Sequence, residues 1–346
     1  MNKLSQFVIG STGIIVVLIY GQSILIPFIF ALLLWFTVRI FTSFSQKIPI
    51  YGKWVPDSIK KLISTALIFF VLVILTQIIL SSFNSIIKSH HDYDQNVIHL
   101  IESINERFNI DVQAYVQTQT SEINIGSIAE TLFDAVSNII SSTLMILLFA
   151  IFIFIEEVHL SNKLKQVFSS SAKKYERLNA TLIKIEWSVA RYLGIKTLIS
   201  LITGVSSYIV FVFADLNFAI FWAFLIFILN YIPTIGSLLG TIFPSVFCLL
   251  QFGDFSMAFT VLFIVGSIQV IIGNFIEPKW LGNSMNISPL LSILSLVFWG
   301  IIWGTTGMVI SVPITVVILI ILSQFESTKS IAILLSEKGE IEKNEF

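Results

Sequence analysis

Apolar residues fall in eight runs along the chain, near residues 5–20, 24–41, 62–80, 139–155, 197–213, 218–250, 257–273 and 289–322. A helix needs about 20 apolar residues to cross hydrocarbon, and these runs approach or exceed that length. None alternates polar with apolar positions as a barrel strand does. In lipid each backbone group must find its partner within the segment, so every run predicts a helix. Between the runs the period changes. Val97, Ile101, Ile104 and Phe108 recur at spacings of four, three and four, the pattern of an amphipathic helix. Ile128, Leu132 and Val136 continue that spacing into the next run. Leu160, Leu164 and Phe168, then Leu178, Leu182, Ile185 and Val189, mark a further amphipathic helix that lies along the interface or supports the spans. The expected fold is an all-α polytopic membrane bundle of about eight segments with a helical extramembrane insertion.

Two of the runs are long and interrupted. "NYIPTIGSLLGTIFP" (Asn230 to Pro244) places Pro233, Thr234, Gly236, Gly240 and Pro244 in the middle of 218–250. "GIIWGTTGMVISVP" places Gly300, Gly304, Gly307 and Pro313 in the middle of 289–322. Proline removes a backbone donor and glycine weakens a helix. Non-helical backbone at membrane depth survives where protein buries it or where it lines a polar cavity. Paired interruptions of this kind point to a transporter's binding region. Taken singly, each glycine reads as a close helix contact, since Gly236 and Gly240, like Gly300 and Gly304, are four apart. Each long run is open to three readings: a broken span, a re-entrant hairpin or two short spans.

Composition agrees with a membrane solvent. Of 346 residues 55% are hydrophobic and 12% charged, and the mean hydropathy is +0.91; a soluble domain carries about 25% charge. The net charge of −1 gives no basic field for nucleic acid. Lys and Arg set the orientation. Arg39, Lys47, Lys53, Lys60 and Lys61 follow the second run, and eight basic residues from Lys163 to Lys196 follow the fourth. Residues 81–138 hold only Lys88 and Arg107 against eight acidic residues. The expected organisation is therefore as follows: membrane helices over 1–80, an extracytoplasmic insertion over 81–138, a span over 139–155 and a basic cytoplasmic segment over 156–196. A membrane core follows over 197–322, then a cytoplasmic tail over 323–346, with both termini cytoplasmic. The apolar start reads as a retained first span rather than a removed signal.

Several chemistries find no support. No phosphate loop, H-E-x-x-H, C-x-x-C or G-x-S-x-G motif is present, so neither an ATPase nor a hydrolase is expected. Cys248 reads as a small buried hydrophobe. His90 and His91 with Asp92 and Asp94 are ligand types for zinc or nickel, but adjacent histidines cannot easily face one ion, and no metal site is expected. Glu156, Glu157 and His159 read as charges at the membrane boundary, and Arg39 as a boundary anchor.

The order "NYIPTIGSLLGTIFPSVFCLLQFG" and then "IQVIIGNFIEPKWLGNSMNISPLLSILSLVFWGIIWGTTGMVISVPITVVI" resembles the autoinducer-2 exporter family, the PerM-like permeases. The family pattern has an I-P-x-x-G break, an N-x-x-x-P-x-x-x-G segment and a G-x-x-G-M-x-x-(S/A)-V-P close. The resemblance extends over nearly the whole chain and is most specific from Asn230 to Pro313. It implies a bacterial inner-membrane transporter without its own ATPase or cofactor, working as a homo-oligomer, with a pentamer as the suggested number. It also implies a small polar solute such as autoinducer-2, a neutral, heavily hydroxylated molecule, while other members are assigned sodium–proton antiport.

On this reading the solute path is lined by Asn230, Pro233, Thr234, Gly236, Gly240 and Pro244 from the first break. Asn274, Glu277 and Pro278 join them from "NFIEPKW", and Gly304, Gly307 and Pro313 from the second break. Asn230 and Asn274 can hold a solute through amide hydrogen bonds or satisfy broken backbone. Glu277 can accept hydroxyl hydrogen bonds, carry a proton, or pair with Lys279 at the interface. Export of a small organic solute, facilitated or coupled to H+ or Na+, is the expected function. Antiport is the alternative, disfavoured because Glu277 and Asp254 are the few acids it could use. A scaffold working through 81–138 is the third.

Overall fold

The computed structural model describes residues 3–45, 125–169, 171–281, 287–337 and 339, with isolated positions between 59 and 105. The third apolar run, the 97–108 pattern, the His90–His91 stretch, Lys47, Lys53, Lys60 and Lys61 lie largely outside the described residues. Among the described residues every regular element is helical. They are α1 (Lys3–Tyr20), α2 (Gln22–Ser45), α3 (Ile125–Val167), α4 (Ala172–Phe213), α5 (Ala219–Leu229), α6 (Ile235–Phe252), α7 (Phe255–Ile271), α8 (Glu277–Leu281), α9 (Pro289–Ser323) and α10 (Glu326–Leu335). A π-helical turn, Ile272–Ile276, joins α7 to α8. Six of the helical stretches are long and apolar enough to cross a membrane.

The chain divides into two compact units. The first comprises Met1–Thr65, Ser141–Lys196 and Trp280–Phe346; the second comprises Ala66–Ile140 and Thr197–Lys279.

The amphipathic pattern over 160–189 does not form a helix of its own. α3 continues without a break to Val167, and α4 starts at Ala172 and runs 42 residues into the next apolar run. Between the two helices Phe168 and Ser169 form a turn, and Ser171 stands just before α4. No proline stands between Ala172 and Phe213, so nothing ends α4 at the boundary of its apolar half. At 1.5 Å per residue α4 is about 63 Å long, twice the thickness of the hydrocarbon.

In the first unit Phe36 of α2, Val189, Tyr192 and Leu193 of α4 and Val312, Val316 and Ile320 of α9 form one buried cluster. Beside it the Arg39 guanidinium lies 3.8 Å from Glu157 and 3.0 Å from Glu186. It also sits 5.1 Å from the centre of the Trp35 ring, whose indole donates to Glu157 at 2.9 Å. Arg39 and Glu157, which the sequence marks only as boundary charges, thus tie α2, α3 and α4 together. Arg39→Gln leaves Glu157 and Glu186 without their shared cation. The group is more than a third exposed, so the pairs are worth about 0.2–1 kcal/mol each. A melting temperature lower by a few degrees is expected, with a smaller difference at high salt.

The second long run is a hairpin. In one straight helix Trp299 and Thr315 would stand about 24 Å apart, yet the Trp299 indole donates to the Thr315 hydroxyl at 3.2 Å. The reversal occurs at Trp303 (φ −128°, ψ 16°) and Gly304 (φ 62°, ψ −146°). Past the turn Gly307 packs so close to the Trp299 carbonyl that a Cβ would overlap it. The limbs are 289–302 and 305–323, and Pro313 sits inside the second without ending it. At the tip the Trp303 indole donates to the Leu18 carbonyl at 2.8 Å, which anchors the end of α1.

Candidate functional site

The first long run is also a hairpin, built within the second unit. α5 has 11 residues, about 16 Å, roughly half of what a span requires. α6 returns beside it. A Cβ on Gly236 would overlap the Leu229 carbonyl, and one on Gly240 would meet Ile226 Cγ1 at 3.2 Å. Further along, the Trp222 and Phe247 rings lie 5.0 Å apart. Contacts at 229 with 236, 226 with 240 and 222 with 247 fix an antiparallel pair.

The tip of this hairpin stores strain. The Ile235 amide donates to the Pro233 carbonyl at 2.6 Å across Thr234, whose φ is 63° and ψ −54°. This is a γ-turn in its rare, strained form. A β-branched residue at positive φ is an outlier, and such strain costs about 1–3 kcal/mol and clusters at functional sites. Pro233 has no N–H to extend the preceding helix, so the chain turns here. Thr234→Gly relieves the strain at a chain-entropy cost of about 0.5–1 kcal/mol. A net gain of about 1 kcal/mol, seen as a higher melting temperature, is the expected outcome.

Helix α4 contributes a polar face to the same unit. Ser200, Thr203 and Ser207 are each fully buried. Their spacing of three and four places them on one side of the helix. Ser200 receives a hydrogen bond from the buried Asn230 amide at 3.3 Å, and the Thr197 and Tyr231 hydroxyls are 2.7 Å apart. Gly204 faces the Ala223 carbonyl, 3.1 Å from an added Cβ. On α7 Gln269 is buried, with its Nε2 3.2 Å from the Cβ position of Gly240. At the far end of the hairpin the Gln251 amide accepts from the Asn217 N–H at 2.7 Å and donates to the Asp215 carbonyl at 2.8 Å, which holds the turn between α4 and α5.

The residues named from sequence fall in different places. Asn230, Pro233, Thr234, Gly236, Gly240 and Pro244 share the hairpin of α5 and α6, with Asn230, Gly236, Gly240 and Pro244 buried and Thr234 exposed. Pro244 lies inside α6 and does not break it. Asn274 is exposed in the π-helical turn, Glu277 is half-buried at the start of α8, and Pro278 is exposed beside it. A π-helical turn is a frequent mark of function. Gly304, Gly307 and Pro313 belong to the hairpin of the first unit. Ser200, Thr203, Ser207, Trp222, Tyr231 and Gln269 were not singled out from sequence. The first three were legible, because Lys196, Ser200, Thr203 and Ser207 repeat at four, three and four inside an otherwise apolar helix.

Among the described residues no three His, Cys, Asp or Glu side chains gather as metal ligands, and no Asp or Glu is buried. The buried polar groups of the second unit, set around an apolar cluster, are instead amides, hydroxyls and an indole. Such a set can hold an uncharged polar molecule.

The model of the AI-2E family transporter matches residues 7–327. The chain belongs to the AI-2E transporter family. It is 32% identical over 334 residues to the AI-2 transport protein TqsA of Escherichia coli K12, covering 94% of each chain. It is 36% identical over 201 residues, 58% of each chain, to a protein of Haemophilus influenzae. It is 31% identical over 248 residues, 70% of this chain and 67% of the other, to one of Borreliella burgdorferi. The names of both give transport as an inferred role and mention no solute. Membership of the AI-2E family makes the chain a bacterial integral membrane protein of a transporter family, consistent with its six apolar stretches.

Proposed function

We propose that this transporter exports a small, uncharged, polar organic solute, autoinducer-2 or a close relative, by facilitated diffusion through the second unit. What carries the reading is the Asn230 hairpin: a strained turn at its tip, with Asn230 and Ser200 buried behind it. The name of the relative TqsA, AI-2 transport protein, supplies the candidate solute. Antiport receives less support, since no carboxylate is buried among the described residues and Glu277 is half-buried at the start of α8, with Asn274 exposed in the turn before it. Residues 81–138 are proposed to lie outside the cytoplasm, both termini within it, and the membrane is proposed to be the inner one. Assembly as a homo-oligomer belongs to the same proposal, and mass photometry of the detergent-solubilised protein reads the subunit number directly.

The test is autoinducer-2 efflux from proteoliposomes. Asn230→Leu removes both the amide and its bond to Ser200, and its flux is expected to fall at least tenfold, the value of one hydrogen bond of about 1.4 kcal/mol. Glu277→Gln should transport at the wild-type rate. Loss of transport in Glu277→Gln with Asn230→Leu unaffected would sink the reading.

A further inference from the structure

Three buried polar atoms among the described residues have no hydrogen-bond partner: Ser207 Oγ, Trp222 Nε1 and Gln269 Nε2. All three belong to the second unit and come from three helices, α4, α5 and α7. They surround one core. Ser207 stands one turn before Phe211, and Gln269 one turn after Val265; Phe211, Trp222 and Val265 are members of a single buried cluster. Ile226, one turn after Trp222, meets the Gly240 position together with Gln269 Nε2.

Their neighbours are satisfied. Thr203 donates to the Ile199 carbonyl, Thr241 to Ser237 and Ser245 to Thr241, each at 2.8 Å. In a helix a serine hydroxyl has the same local acceptor within reach, so the orphaned Ser207 is the exception in its surroundings. A buried donor without an acceptor is costly, and native structures retain few without a reason. By contrast, in the hairpin of the first unit the Trp299 and Trp303 indoles both find acceptors.

The chemistry of the three atoms leans to donation. An indole N–H and an amide NH2 only donate, while a serine hydroxyl donates or accepts. Oxygen lone pairs are what a metal cation needs, and a donor presents the wrong end of its dipole. We propose that Ser207, Trp222 and Gln269 form a donor set that grips the transported solute by its oxygen lone pairs. The set selects small uncharged hydroxyketones and cyclic polyols over sodium and protons. The proposal rests on the transport reading above and assigns the specificity of that site.

The donors can be deleted one at a time in the full-length protein by Ser207→Ala, Trp222→Phe and Gln269→Leu. Because each removes a buried donor with nothing to bond, the melting temperature in detergent is expected to hold or rise in Ser207→Ala and Trp222→Phe, and to fall by less than the flux does in Gln269→Leu, which also loses the amide oxygen. Autoinducer-2 efflux from proteoliposomes is expected to fall about tenfold for each donor removed. Gln269→Glu, which replaces donors by acceptors, should transport no better than Gln269→Leu. Wild-type flux in all three deletion variants overturns the proposal, as does a fall in flux matched by a fall in melting temperature, which would make these groups structural. Absence of autoinducer-2 flux in the wild-type protein would instead overturn the transport reading itself.

Discussion

Gly236→Val is expected to abolish transport by unfolding the second unit. The two limbs of its hairpin approach so closely at Gly236 that a Cβ would overlap the Leu229 carbonyl oxygen and crowd the Leu229 carbonyl carbon. The obstacle is backbone, which cannot swing aside as a side chain tip can. Overpacking a core costs about 1–3 kcal/mol, and contact with backbone belongs at the upper end or beyond. Small residues are what let helices meet at this distance in a membrane. The expected result is aggregated or degraded protein in size-exclusion chromatography, with no flux from whatever fraction survives. Gly194→Ala is the control, since a Cβ there meets nothing within 4 Å. It should leave the melting temperature unchanged or slightly higher, because alanine is the better helix former.

Gly304 and Gly307 are expected to fail for different reasons, and the pair tests whether α9 folds back. Gly304 has open space around it but holds φ 62° with ψ −146°, a region nearly closed to residues with a Cβ. Gly304→Ala should cost about 1–3 kcal/mol of strain. Gly304→Asn should do no better, since asparagine tolerates the left-handed helical basin but not this ψ. Gly307→Ala meets no such conformational bar; its Cβ would overlap the Trp299 carbonyl. Thermal melts of the three variants decide the matter. A straight 35-residue helix would reverse the sign, with alanine at either position stabilising by about 1 kcal/mol.

The fold class and the places where helices stop were legible because hydrophobic run length and proline chemistry are local properties. Pro233 announces the turn at 230–234 by what it lacks. The fold-back was less legible, since a break in an apolar run has the same composition whether the chain continues or returns. Gly307 and Gly236 carry that information only through what lies opposite them. Pro244 and Pro313 misled in the other direction. Pro244 sits inside α6 and Pro313 inside the second limb of α9, and neither ends its helix. The join at residues 196–197 leaves no mark in the backbone, because the amphipathic and apolar stretches of α4 share one unbroken helical ladder.

The candidate site shows the same division. Asn230 stood out beside a proline, and the structure gives it a buried partner, Ser200. Gln269 and Trp222 left no periodic trace, because a lone polar group in an apolar run looks like tolerated noise. Only the packing shows that their donors have nowhere to bond. Glu277 drew attention because an acid near membrane depth is rare; it lies half-buried at the start of α8, directly after the π-helical turn.

The most direct measurement is transport by the purified full-length protein in sealed proteoliposomes loaded with autoinducer-2, with pH and sodium clamped equal across the membrane. Efflux down the solute's own gradient, lost in Asn230→Leu and indifferent to a sodium or proton gradient imposed afterwards, is the result that a neutral-solute facilitator predicts. Proton movement driven by a sodium gradient in vesicles containing no organic solute, abolished by Glu277→Gln, would contradict it.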